Sequence, residues 1–158
     1  MTKSVPPPLT NLFDPATAQN LKFRIGLMLT TMVPRWGTMQ PAQALAHCAA
    51  GMELASGVRV APRLVVGRII GWLLKPLVLG NDRPMRRTTP TIPGQEVRDE
   101  RDLAQEQQRL CRLIDHFCES GSAGCTRHPH SFFGPLTPAQ WAVLSYKHLD
   151  HHLRQFGV

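Results

Sequence analysis

Acidic residues are scarce in this chain. Its 158 residues carry 11 Asp and Glu against 14 Arg and 4 Lys, a formal net charge of +7. That surplus favours anionic partners, but only 18% of residues are charged and no dense Lys/Arg stripe marks a nucleic-acid face. Aromatic residues are also few, at 6%, with Leu, Ala, Val and Met in their place, a composition that suits helices better than a β-sandwich. No segment alternates apolar and polar residues with period two, and no internal repeat is present. Cysteine occurs at 48, 111, 118 and 125 without a CxxC pair, which excludes the usual zinc modules. The opening MTKSVPPPLT has no apolar run after Lys3, so no secretory signal and no disulfide framework is expected. Reduced, buried thiols in a cytoplasmic protein follow from that reading. What remains is a chain long enough for one core, with 42% hydrophobic residues to fill it.

The prolines divide that core into helices, because interior proline breaks them. The first expected helix runs from Ala16 to Val33, with Leu21, Ile25, Met28 and Met32 at helical spacing. A second spans Pro41 to Ser56 and is closed by Gly57. A third opens at Pro62 and ends around Pro76 to Leu79. The fourth covers Val97 to Glu119, with Leu103, Leu110, Leu113, Ile114 and Phe117 as its apolar stripe. The fifth, Pro138 to Phe156, has the strongest boundary signals: a T-x-x-Q capping box from Thr137 to Gln140, Pro138 in the first turn, and Gly157 after the last. The longest hydrophobic run, LVVGRIIGWLLKPLVLG over 64–80, is interrupted by Arg68, Lys75 and Pro76 and falls short of a membrane span. It reads as a crossover helix, with membrane-surface contact or a homodimer interface as alternatives; its Gly67-x-x-x-Gly71 pair signals close packing.

Histidines carry the chemistry. His148 and His152, in KHLDHH, lie four apart and therefore share a face of the fifth helix, the face that also bears Trp141, Leu144 and Ser145. A histidine pair facing a core needs a partner, and a divalent metal is a common one; a hydrogen-bonded or solvated pair is the alternative. His47, in the apolar stretch QALAHCAAG, is the candidate third ligand, because antiparallel packing of the second and fifth helices brings all three imidazoles to one level.

AQALAHCAAGMELASG followed by KHLDHHLRQFG, with the trailing Gln155, resembles the DinB-like (YfiT-like) superfamily of metalloenzymes. The stretch HPHSFFGPLTPAQW is similar to a small bacterial branch of it that is a domain of unknown function. The resemblance covers residue 16 to the C-terminus as one domain, with 1–15 as a flexible N-terminal segment. It implies an all-α four-helix bundle in up-down-down-up order with an additional crossover helix, and a divalent-metal site (zinc, nickel or iron) at His47, His148 and His152. Relatives include thiol-dependent transferases and a thiol-dependent isomerase, so a metal-dependent transferase or hydrolase is implied; a non-catalytic metal-binding or interaction module is the alternative.

The bundle order places loops 33–40 and 80–98 beside the metal and loop 120–136 at the opposite end. His128 and His130 are then remote from the ion, and Phe132 and Phe133 anchor their loop. No catalytic residue is identified: the HExxH position for a general base is Leu149, while Asp150 and His151 lie on other faces. Arg35 beside Trp36, with Arg83, Arg86, Arg87 and Arg98, should favour a small anionic or thiol-bearing substrate. Neither a nucleic-acid partner nor a membrane span is expected.

Overall fold

A computed structural model describes residues 8–87 and 96–158. Five α-helices follow one another: α1 (Pro15–Gly26), α2 (Pro41–Ala55), α3 (Val65–Leu79), α4 (Leu103–Ser120) and α5 (Pro138–Phe156), with a 3₁₀ turn at Gly121–Gly124. No strand occurs among the described residues beyond a single bridge between His130 and Gly134. The all-helical class expected from the composition is therefore present.

Sequence explains where most helices begin. Thr137 caps α5 by accepting from the Gln140 N–H at 3.2 Å, and the Gln140 side chain accepts in return from the Thr137 N–H at 3.0 Å. Asp102 caps α4 by accepting from the Gln105 N–H at 2.8 Å, so that helix starts at Leu103 and not at Val97. The first helix is shorter than its periodicity suggests and stops at Gly26. Its next carbonyls are claimed from outside: the Gln107 side chain donates to the carbonyls of Ile25 (2.8 Å) and Met28 (3.1 Å), and the backbone tightens into i→i+3 turns. Met28 is still buried, so its place in the apolar pattern reflects packing and not helix. The third helix begins at Val65 because Leu64 is extended and donates to the Ser131 carbonyl at 3.0 Å; Pro76 is accommodated inside its last turns.

α2 packs on α4 and α5, α1 packs on α4 and α5, and α3 meets only α5 among the helices. Leu21, Ile25, Leu45, Cys48, Leu110, Ile114, Phe117, Leu149 and Leu153 make one continuous core between α1, α2, α4 and α5. Leu12, ahead of α1, is also fully buried, and its N–H reaches the Ala142 carbonyl at 3.1 Å. α3 is held instead to the 130–135 loop. A Cβ at Gly67 or Gly71 would collide with the Phe132 backbone, Arg63 donates to the His130 carbonyl at 3.1 Å, and Lys75 to that of Pro135 at 2.6 Å. The small-residue pair thus admits a loop and not a second helix. No described helix is long and apolar enough to cross a membrane.

Candidate metal centre

His47 lies in the middle of α2, whereas His148 and His152 stand one turn apart on α5. The contact between these two helices brings one nitrogen from each ring within 4.8 Å of the others. Nε2 of His148 is 2.9 Å from Nε2 of His47. The three rings are mutually steep, with centroids 4.8, 4.8 and 5.0 Å apart and interplanar angles of 79°, 75° and 83°. The faces therefore do not stack. His47 and His152 are buried, and His148 is half-buried.

Close packing makes room for this arrangement. Gly51, one turn beyond His47, faces the His148 ring: a Cβ there would sit 2.8 Å from Nδ1 and 3.0 Å from Cε1. His152 is oriented by a chain of two hydrogen bonds. The Gln155 side-chain amide donates to the Trp36 carbonyl at 2.6 Å, which turns its oxygen towards His152 Nδ1, 2.9 Å away. An amide oxygen can only accept, so Nδ1 carries the proton and Nε2 keeps a bare lone pair. The Gln155 carbonyl also accepts from the Arg35 N–H at 2.7 Å, tying the loop after α1 to the end of α5.

Burial and mutual repulsion keep His148 and His152 neutral. Burial, then the imidazoles of His152 and His47, hold His148 well below the ordinary histidine range. Burial, then His47, pushes His152 down to about 3, against the opposing hydrogen bond to Gln155. Neutral imidazole is the form that binds metal. Three nitrogens bound at about 2.1 Å around a tetrahedral ion stand about 3.4 Å apart, so the 2.9 Å pair would open by about 0.5 Å and separations towards 4.8 Å would close by up to about 1.4 Å as the rings took up a divalent cation.

The neighbouring candidates have other partners. His151 packs against Trp36 and His152, with centroids 5.5 and 5.0 Å away, and hydrogen-bonds to the Met85 backbone. Asp150 is buried between Arg24 (2.9 Å) and Arg154 (2.6 Å). Glu53 pairs with Arg59 at 2.7 Å and with Arg109, which also meets Glu106 at 3.2 Å. His116 and His128 are exposed. His130 is held by its loop, where Nδ1 accepts from the N–H groups of Phe132 and Phe133, both at 3.1 Å, and its ring meets Trp141 of α5 with centroids 5.5 Å apart. All four cysteines are free, and burial raises each thiol pKa, so none is an activated thiolate.

Beside His151 opens a cleft of about 240 Å³, lined by Arg35, Trp36, Met85, Arg87, His151 and Arg154. The Arg87 guanidinium lies 4.7 Å above the Trp36 ring. Of the arginines expected at the mouth, Arg35 and Arg87 are here, whereas Arg83, Arg86 and Arg98 are not in the lining. Part of the second flanking loop, 88–95, lies outside the described residues. Sequence reasoning missed Arg154, Gly51 and the Trp36–Gln155–His152 chain; the i,i+3 spacing of His152 and Gln155 was the available signal for the last.

A family model described as Protein of unknown function (DUF1569) matches residues 20–157, a span that includes all three clustered histidines. The chain belongs to this family. No curated protein and no solved structure matches it. The family therefore supplies no reaction, and the site has to speak through its own residues.

Proposed function

We propose that this DUF1569 chain is a metal-dependent enzyme of the DinB-like type, with His47, His148 and His152 as ligands to a divalent zinc, nickel or iron ion. One observation carries the reading: three imidazoles, two of them buried, each bring one nitrogen within 4.8 Å of the others from two packed helices. The pairwise packing of α1, α2, α4 and α5 supports a four-helix bundle in up-down-down-up order, with α3 as the crossover and 16–158 as one domain. When bound, an ion held by three neutral imidazoles keeps its positive charge and an open position, and supplies Lewis acidity towards an oxygen or thiol group.

The chain's own residues do the rest. Gln155 fixes the His152 tautomer, Gly51 admits the His148 ring, and Trp36 with His151 walls the site on the side of the cleft. Arg35 and Arg87, neither paired with a carboxylate among the described residues, draw a small anionic or thiol-bearing substrate to that cleft. Transfer to or from a thiol, or hydrolysis, is the reaction class in a cytoplasmic bacterial protein with reduced cysteines.

A second reading, a metal-binding module without turnover, draws on one feature. Asp150, Glu53 and Glu106 are all engaged by arginines, so none stands free as a general base. Turnover of thiol conjugates and simple esters separates the two readings. Activity lost on chelation, restored by one metal and absent in His47→Ala supports the enzyme; a metal-loaded chain inert to every substrate class supports the module.

A further inference from the structure

Among the described residues, the largest exposed apolar face is that of α3. A helix that is apolar nearly all round is normally buried nearly all round. Among the described residues α3 is covered along one side, where Gly67 and Gly71 meet the Phe132 backbone, and at its C-terminal end, where Val78 and Leu79 reach the core. The opposite side presents Val65 (74% exposed), Ile69 (66%), Trp72 (68%) and Leu77 (68%), with Val66, Ile70 and Leu73 between them. At 100° per residue these seven side chains form one arc about 160° wide and, over 15 residues, about 22 Å long. The two charged residues of α3, Arg68 and Lys75, both flank one edge, and Lys75 is pinned to the Pro135 carbonyl.

We infer that this arc is the interface at which two copies of the chain pair, α3 against α3. Area favours that occupant: the seven side chains leave on the order of 700 Å² open, close to the roughly 800 Å² that each partner contributes to a standard interface. Composition does too. A surface-bound lipid helix combines low net hydrophobicity with a strongly charged polar face, and α3 has neither. It reads instead as part of a core cut in half, apolar at the centre with charge confined to the rim. An antiparallel, two-fold pairing sets Ile69 and Leu73 at the axis and Trp72 and Leu77 beside it, so each copy covers the same residues on the other. The seat of α3 on the 130–135 loop holds the arc in place before pairing, which limits the ordering cost.

The test is solution mass of the full chain at micromolar concentrations, by light scattering and sedimentation. Wild type should run at twice the 17.6 kDa chain mass, and Ile69→Glu and Leu73→Glu should each run at that mass with unchanged helical circular dichroism and metal content. Leu73→Ala, a milder change, should raise the dimer dissociation constant at least tenfold. Phe23→Glu, at an exposed site on α1, should leave the dimer intact. A monomeric wild type overturns the inference, as does a dimer that survives both glutamates or is lost in Phe23→Glu. A monomer that co-sediments with phosphatidylglycerol vesicles overturns it in favour of a lipid surface.

Discussion

Gly51→Ala should weaken metal binding without weakening the fold. The added methyl would stand 2.8 Å from His148 Nδ1 and 3.0 Å from Cε1. Ordinary contact begins near 3.4 Å, so the ring must retreat by about 0.6 Å, against a tolerance of about 0.2 Å in metal–ligand distance. Since α2 and α5 are tied together by core packing, the ring moves and not the helices. Disturbing a ligand's support typically costs 10–100-fold in metal affinity, about 1.4–2.8 kcal/mol. The metal-free fold should change little, because alanine gains up to about 1 kcal/mol of helix propensity over glycine and offsets the local strain. The assay is zinc titration against a chromophoric competitor, paired with urea unfolding of the metal-free protein. Gly26→Ala is the control, because nothing lies within 4 Å of a Cβ there. Wild-type zinc affinity in Gly51→Ala would refute the reasoning, since His148 would then not be a ligand held by that contact.

Gln155→Leu should also lower zinc affinity, by about 10–100-fold, because His152 loses the acceptor that fixes its tautomer; unchanged affinity would show that the ring needs no such partner. His130 is held neutral, its pKa pushed down to about 4 by burial and then by Arg63, whereas the unfolded residue titrates near 6.5. The unfolded state binds the extra proton, so this contribution is present above pH 6.5 and lost as pH falls towards 4, by about 3 kcal/mol at most. His130→Asn, whose side-chain oxygen can accept the same two N–H bonds, should flatten that part of the stability profile of the metal-free protein; an unaltered slope contradicts the assignment. Arg87→Ala should reduce binding of a carboxylate-bearing thiol more than that of its amide analogue, as measured by calorimetry, and equal losses would remove the basis for an anion-selective cleft.

The parts of this structure that were legible in the sequence are those whose causes are local. The fifth helix is bounded by Thr137, Gln140 and Gly157, all within one turn of its ends, and it runs from Pro138 to Phe156 as expected. The end of the first helix has no local cause: Gln107, more than 75 residues away, takes the carbonyls that would continue it. Asp102 was a readable cap, but the proline-free stretch that follows Pro93 drew the expected start of α4 back to Val97. At the site, His148 and His152 followed from the four-residue spacing, and His47 from the level at which α2 meets α5. Gly51 carried no such signal, because a helical glycine announces nothing until its neighbour is known. The arginine-lined cleft was half legible. Arg35 and Trp36 adjoin in sequence, but Arg154 joins them only because the loop after α1 is bonded to Gln155.

The measurement closest to the central claim is metal stoichiometry by elemental analysis of untagged protein purified without chelator, repeated on four single variants. Wild type should hold one divalent ion per chain, and His47→Ala, His148→Ala and His152→Ala should each hold essentially none while remaining helical. His128→Ala should retain the full complement, because that residue is exposed in a loop apart from the cluster. Full metal content in any of the three cluster variants, or its loss in His128→Ala, would contradict the assignment.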